Sequence, residues 1–314
     1  MNLERFLKNP STPLQRITDK FISDSGIELY IKRLDLIHPE ISGNKWFKLK
    51  YNLIEANRNN FNIMLTFGGA YSNHIYATAA AGKIYGIKTI GAIRGEENIP
   101  LNPTLTFARD CGMEITYVDR ASYRNKYNKE ILSSLKTKYG NFYLIPEGGT
   151  NQLAVKGCKE ILDDINIKFD FICTACGTGG TLAGLVSGLT TNQTALGFPA
   201  LKGGDFLRND ISNLLKISKS THNNKWQLLT DYHFGGYAKI TKELIDFISD
   251  FEKENGIKVE PIYTGKMLFG IYDLIKKGFF PKGTKIIALH NGGLQGLEGL
   301  KQKLYSRESG KNTR

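Results

Sequence analysis

Short blocks of apolar residues punctuate this chain, and most are followed by a longer stretch with helical periodicity. Residues 28–35 (Glu-Leu-Tyr-Ile-Lys-Arg-Leu-Asp) alternate in polarity and predict a strand. Residues 62–67 (Asn-Ile-Met-Leu-Thr-Phe) form an apolar run stopped by Gly68-Gly69, the pattern of a buried strand. Further strands are predicted at 88–93, 114–118 and 142–145. Helices are predicted between them at 45–57, 71–82, 104–111 and 123–139; in the second of these Ala77, Ala79, Ala80 and Ala81 imply close packing. After Pro146 the alternation resumes: helix 152–165, strand 169–175, helix 181–189, strand 195–199, helix 205–217, strand 226–229, helices 241–255 and 267–277, and strand 285–290. From Arg307 the tail is polar and is expected to fray.

A short buried strand followed by a helix, many times over, predicts an α/β fold with mostly parallel sheet covered by helices on both faces. No internal repeat is visible. Two lobes with a cleft between them are the expected outcome, and ligands in such folds bind beyond the carboxyl ends of the strands.

Composition narrows the function. The chain has 314 residues, 41% of them apolar, with 33 glycines, enough for a large buried core. Its formal charge of +12 is spread over the whole length, without a basic run or a nucleic-acid motif. A basic surface that attracts small anions fits better than a nucleic-acid interface. No apolar run is long enough to span a bilayer, and the first ten residues carry Glu4, Arg5 and Lys8 without the apolar core of a signal peptide. A cytoplasmic protein is expected. Cys173 and Cys176 have C-x-x-C spacing, but there is no second pair and Cys173 falls in an apolar strand pattern, so no metal site is expected.

The candidate chemistry gathers where predicted strands meet predicted helices. Cys176-Gly177-Thr178-Gly179-Gly180-Thr181 follows one strand and opens a helix. Glycines there expose consecutive N–H groups, the helix start adds partial positive charge, and two threonines add hydroxyls, which together make a phosphate cradle. It is not a nucleotide loop, since no Gly-Lys-Ser/Thr follows and the third glycine of the dinucleotide fingerprint is missing. Gly68-Gly69-Ala70-Tyr71-Ser72-Asn73-His74 opens another helix, and Ser72 or Asn73 reads as its cap and as a carboxylate site. Glu260-Pro261-Ile262-Tyr263-Thr264-Gly265-Lys266, His290-Asn291-Gly292-Gly293 and Pro146-Glu147-Gly148-Gly149-Thr150-Asn151 are the remaining clusters. Taken alone, His290 reads as a structural histidine. A phosphate cradle, a carboxylate-binding helix start and an early lysine, Lys45, have one economical joint explanation. It is pyridoxal 5'-phosphate held covalently by a lysine and again by its phosphate.

Ser42-Gly43-Asn44-Lys45-Trp46-Phe47-Lys48-Leu49, Ser72-Asn73-His74, Gly177-Thr178-Gly179-Gly180-Thr181 and Pro261-Ile262-Tyr263-Thr264-Gly265-Lys266 resemble the 1-aminocyclopropane-1-carboxylate deaminase and D-cysteine desulfhydrase family. The resemblance covers nearly the whole chain, in the family's order. It implies the tryptophan synthase β-like fold (type II), with residues 1–47 plus 148–314 as a large cofactor-binding domain, residues 48–147 as a small domain, and the cofactor between them. It also implies roles. Lys45 carries the Schiff base, Asn73 hydrogen-bonds the cofactor's phenolic oxygen, and Cys176–Thr181 hold the phosphate. Ser72 stands across the ring as nucleophile or proton relay, and Ser72, Asn73 and His74 hold the substrate carboxylate. Tyr263 and Tyr237 stand beside the substrate, although the family's glycine after the second tyrosine is Ala238 here. A homodimer acting on a small amino acid is the implied assembly.

The departures bear on the reaction. The ring-opening deaminases of this family have an acidic residue after the tyrosine, facing the pyridine nitrogen; this chain has Thr264, as the desulfhydrases do. A hydroxyl cannot stabilise a pyridinium charge as a carboxylate does. His74 also follows the desulfhydrases, whereas Asn291, after the last strand's histidine, follows neither group. The expectation is α,β-elimination from a D-cysteine-like substrate, giving pyruvate, ammonia and sulfide. The alternatives are 1-aminocyclopropane-1-carboxylate deamination to 2-oxobutyrate and ammonia, an amino-acid racemase or β-replacement enzyme of the same fold, and a non-enzymatic basic binding protein.

Overall fold

The computed structural model describes residues 8–218 and 225–297, so the polar tail from Arg307 lies outside the described residues. The chain divides into two compact units. Among the described residues, the larger comprises 10–48 and 150–294, and the smaller 8–9, 49–149 and 295–297.

The larger unit opens with two elements that sequence periodicity does not announce. They are strand β1 (Leu14–Arg16) and the short helix α1 (Lys20–Ser25), which Asp19 caps by accepting from Ile22 N. Strand β2 (Glu28–Lys32) follows, three residues shorter than its polarity pattern predicts. It stops because Leu34–Leu36 wind into a 3-10 turn, with Arg33 reaching across to both carboxylate oxygens of Asp35 at 2.9 and 2.8 Å. Helix α2 (Asn44–Arg58) carries Lys45 on its first turn; its residues up to Lys48 belong to the larger unit and the rest to the smaller.

The smaller unit is a run of strand–helix repeats: β3 (Ile63–Gly68), α3 (Asn73–Tyr85), β4 (Lys88–Arg94), α4 (Pro103–Asp110), β5 (Glu114–Val118), α5 (Arg120–Arg124), α6 (Lys129–Tyr139) and β6 (Tyr143–Ile145). The four strands are parallel in the order β5-β4-β3-β6. The single helix expected over 123–139 is two. Asp119 caps α5 through Ala121 N and Ser122 N, the chain then turns, and extended backbone at Asn128 starts α6 afresh. The break lets the Tyr123 ring pack edge-on against Phe67 at the heart of one core cluster.

The larger unit resumes with α7 (Gln152–Lys159), β7 (Phe171–Cys176), α8 (Gly180–Gly188), β8 (Thr194–Pro199), α9 (Leu207–Ile217), β9 (Lys225–Leu228), α10 (Lys242–Asn255), α11 (Thr264–Lys276) and β10 (Lys285–Leu289). Six strands form one sheet in the order β1-β2-β10-β7-β8-β9, parallel except for β1. The last strand is thus inserted in the middle, between the second and the seventh. Its neighbours are parallel to it, so the chain leaving β10 at His290 and the chain leaving β7 at Cys176 emerge at the same end of the sheet. A half-buried ion pair lies at that same end, beside β1: Lys32, 1% exposed, donates to Asp164 Oδ2 at 2.6 Å and to the Thr12 carbonyl at 2.6 Å. No helix among the described residues is long and apolar enough to cross a membrane.

The division differs from the expected one at both ends. Asn9 belongs to the smaller unit, where its side chain accepts from Lys50 Nζ at 3.1 Å. Gln295 belongs there too, because its amide donates to Asn73 Oδ1 at 2.9 Å.

Candidate active site

Gly43 makes the turn before α2. It takes φ 67°, and a Cβ on it would fall 1.9 Å from the Asn291 carbonyl oxygen, so no other residue fits. Asn44 then bonds in two directions: its amide donates to Thr181 Oγ1 at 2.8 Å, and its carbonyl accepts from Lys45 Nζ at 2.7 Å. Lys45 keeps some exposed surface, yet its amine is densely surrounded by protein. Burial, and then the Lys48 charge, push its pKa down to about 7, while Cys158 and Glu260 act in the opposite sense.

The glycine loop leaves β7 and opens α8 in the larger unit, as the sequence predicts. Gly179 is the residue before the helix, at φ 75°, and no side chain caps the first N–H groups of α8. Gly177 lies under Tyr263; a Cβ there would sit 3.4 Å from the tyrosine's Cε1 and OH. Gly180 is closed in more tightly, since a Cβ would come within 2.8 Å of Thr150 Oγ1 and 3.3 Å of Lys48 Nζ. Lys48 donates to Thr150 Oγ1 at 3.0 Å and to Thr178 Oγ1 at 3.3 Å, and the two hydroxyls touch each other. Burial lowers the Lys48 pKa as well. An ammonium, two hydroxyls and an uncapped helix start thus converge on one small cradle. This donor set fits a phosphate dianion, and the nearby depressed amine fits an aldehyde, so the residues present suit pyridoxal phosphate.

Lys48 and Thr150 were not singled out from the sequence. Lys48 could have been, because it stands three residues after Lys45 on the same face of the helix. Thr150 follows Gly148-Gly149 but is separated by 102 positions from the lysine it meets.

The start of α11 lies one turn earlier than predicted. Glu260, 3% exposed, accepts from Ile262 N (2.7 Å), Tyr263 N (3.0 and 3.1 Å) and Thr264 N (2.6 Å), and so turns the chain into the helix at Thr264. Burial raises its carboxyl to about 7 against those hydrogen bonds. The Thr264 hydroxyl is fully buried; it lies close enough to Glu260 to help lower that carboxyl's pKa, but has no partner with good hydrogen-bond geometry. Tyr263 meets Tyr237 edge-on, with ring centroids 6.0 Å apart. Ala238 takes φ 54°, a left-handed conformation suited to glycine, the residue the family pattern has there.

Asn291 joins the ends of two strands. Its Nδ2 donates to Thr174 Oγ1 at 2.9 Å and to the Ala175 carbonyl at 3.2 Å, and its buried Oδ1 has no partner. His290 is structural in character: one ring nitrogen bonds the Lys258 carbonyl at 2.7 Å, the other accepts from Gly292 N, and burial lowers its pKa. The C-x-x-C pair lies inside β7, where burial pushes both thiols up.

Ser72, Asn73 and His74 belong to the smaller unit. Ser72 Oγ caps α3, accepting from His74 N at 3.2 Å and Ile75 N at 3.3 Å. The His74 side chain lies beneath the helix start and not at its surface: it is 1% exposed and its Nε2 bonds Thr66 Oγ1 at 2.9 Å. Thr66 in turn donates to the Ile145 carbonyl at 2.8 Å. Gln295 holds the Asn73 carbonyl, which leaves that side chain's amide as its donor end.

A parallel α/β sheet with a depressed lysine beside a phosphate cradle defines the class of fold type II pyridoxal-phosphate enzymes, and the family model described as "Pyridoxal-phosphate dependent enzyme" matches residues 7–292. A "Putative 1-aminocyclopropane-1-carboxylate deaminase" of Pyrococcus horikoshii is 34% identical over 307 residues, covering 94% of this chain and 93% of that one. The mitochondrial "Bifunctional D-cysteine desulfhydrase/1-aminocyclopropane-1-carboxylate deaminase" of Arabidopsis thaliana is 30% identical, covering 87% of this chain and 74% of that one. A solved structure described as an ACC deaminase homologue superposes with a TM-score of 0.82 at 30% identity, covering 97% of this chain and 98% of that one. The chain belongs to the 1-aminocyclopropane-1-carboxylate deaminase/D-cysteine desulfhydrase family and is a pyridoxal-phosphate-dependent lyase.

Proposed function

We propose that this lyase eliminates the β-substituent of a small amino acid, with D-cysteine as the model substrate and pyruvate, ammonia and sulfide as products. Thr264 carries the proposal: at the position where the ring-opening enzymes place a carboxylate, this chain has a buried hydroxyl. Glu260 is no replacement, since backbone N–H groups of three residues already occupy its carboxylate. Pyridoxal phosphate, when bound, supplies an electrophilic carbonyl and an electron sink for negative charge at the substrate Cα. A good leaving group needs only a modest sink, which suits a threonine.

The chain's own residues supply the rest. Lys45, whose pKa burial and Lys48 hold near 7 in the cofactor-free protein, would be the covalent anchor, and its amine, when free, the base for the Cα proton. Asn44 aims it. Lys48, Thr150, Thr178 and the N–H groups of Cys176–Thr181 hold the phosphate. Asn73 donates to the phenolic oxygen, and Ser72, with the α3 start, takes the substrate carboxylate while His74 supports that helix start from beneath. Tyr263 and Tyr237 would stand beside the substrate, and Asn291, whose buried Oδ1 has no partner within the protein, is the proposed substrate contact after the last strand.

The names of the relatives favour a second reading, cyclopropane ring opening. A panel of D- and L-cysteine, β-chloroalanine, serine and 1-aminocyclopropane-1-carboxylate, scored for keto acid, separates the two. Pyruvate from D-cysteine is the expected result. Keto acid from the cyclopropane substrate alone, as 2-oxobutyrate, would overturn it. Borohydride reduction with peptide mapping should place the cofactor on Lys45.

A further inference from the structure

Lys266 stands on α11 with 2% of its surface exposed, and its Nζ donates to two backbone carbonyls, those of His233 and Gly236, each at 2.9 Å. Both carbonyls belong to the loop between β9 and α10 that carries Tyr237. The backbone of that loop is strained: Phe234 and Ala238 both take φ 54°, with Gly235 at 90° and Gly236 at 127°. Two non-glycine residues in the left-handed region hold only where the surroundings impose them. Bonds within the loop, from Gly235 N to His233 Nδ1 (2.8 Å) and from Gly236 N to the His233 carbonyl (3.0 Å), fold it on itself without attaching it to anything.

Four residues of α11 attach it. Besides Lys266, Phe269 meets the Phe234 ring edge-on at 4.9 Å. Gly270 makes room for Tyr232, where a Cβ would come within 2.9 Å of the ring. Asp273 accepts from the Tyr232 hydroxyl at 2.7 Å. Positions 266, 269, 270 and 273 form one face of the helix. Of the four, only Lys266 bonds Gly236, the residue next to Tyr237. Burial pushes the Lys266 pKa down to about 8, with Glu260 acting against it, so the amine is still mostly charged at neutral pH and its bonds to the carbonyls are charge-assisted.

We propose that Lys266 is a positioning residue that clips the 232–238 loop to α11 and thereby holds Tyr237 edge-on to Tyr263. The proposal rests on the reading of the two tyrosines as substrate-side groups. The test uses the holoenzyme with Lys266→Met, Lys266→Arg, Tyr237→Ala and the Lys266→Met/Tyr237→Ala double variant. Loss of charged hydrogen bonds predicts amide exchange at 233–239 faster by about ten- to a hundredfold in Lys266→Met, with β7 and β10 unchanged. With D-cysteine, KM rises more than kcat falls. Arginine, which also donates to two carbonyls, restores most of both effects, and the double variant is no worse than Tyr237→Ala.

Unchanged loop exchange in Lys266→Met, or effects of the two substitutions that multiply, would overturn the proposal. Should the methionine variant not fold, Lys266→Gln takes its place under the same criteria. If D-cysteine is not turned over, the exchange result decides for Lys266 on its own. If Tyr237→Ala leaves turnover intact while the Lys266→Met loop loosens, the clip stands and the substrate-side reading of Tyr237 fails.

Discussion

Stripped of its cofactor, the protein should carry at Lys45 an amine far more reactive at neutral pH than an ordinary surface lysine. With a pKa of about 7 in place of the usual 10.5, roughly half of it is neutral at pH 7, against about one part in 3,000 of a normal lysine. A weaker base is also a weaker nucleophile. A Brønsted slope of about 0.4–0.5, as for thiols, removes a factor of roughly 25–55. A net advantage of about 30- to 60-fold remains. Trace acetylation across a pH series, with each lysine quantified by peptide mass spectrometry, gives the profile; hindered access lowers its amplitude without moving its midpoint. Lys45 should be half-maximal near pH 7, Lys48→Met should raise that midpoint, and Glu260→Gln should lower it, because those charges act in these senses. A Lys45 midpoint near 10.5, or one indifferent to Lys48→Met, would refute the argument. The same shift penalises the cofactor-free fold in full below about pH 7, where native and unfolded lysine are both protonated, and the penalty fades as pH rises toward 10.5.

Three further outcomes are expected. Gly180→Ala drives a methyl against Thr150 and Lys48 and should weaken cofactor binding by about tenfold or more, measured by equilibrium dialysis with the circular dichroism spectrum unchanged. Asp164→Asn leaves the Lys32 charge with carbonyl acceptors alone and should cost about 2 kcal/mol in urea unfolding, below the usual figure for a buried pair because Asp164 is 31% exposed. Burial would raise the Asp164 pKa, but Lys32, Thr12 N–H and Ser11 outweigh it, so the wild type should lose this contribution as pH falls through and below the ordinary carboxylate range, and the variant should show a flatter acid limb. Ala238→Gly relieves a left-handed alanine and should leave the melting temperature unchanged or raised by the equivalent of up to ~1 kcal/mol, whereas Ala238→Val should lower it.

The strand–helix alternation was legible because each buried parallel strand is a local apolar run bounded by glycine or proline, and the same locality exposed Lys45 and the glycine loop. What the sequence concealed depends on distant contacts. The polarity of residues 28–35 continues past Lys32, but the Arg33–Asp35 pair turns the chain there. Nothing in residues 285–289 says that this last strand enters the sheet between β2 and β7. The helix expected from Met267 starts at Thr264, since a carboxylate four residues earlier organises its first turn. His74, expected with Ser72 and Asn73 at a helix start that holds the substrate carboxylate, has its side chain buried against Thr66. Lys48 and Thr150 became part of the candidate site only once folding had brought them together.

The close approach of Gly43 to residue 291 separates two things that could have been bound together. What excludes a side chain at position 43 is the backbone carbonyl of Asn291, an atom that every amino acid carries. The turn that presents Lys45 therefore depends on the course of the chain after β10 and not on which residue occupies position 291. The Asn291 side chain faces elsewhere, toward Thr174 and Ala175. Substitution there can reshape that neighbourhood while the turn bearing Lys45 keeps its support, so residue 291 can vary independently of that turn although their backbones touch.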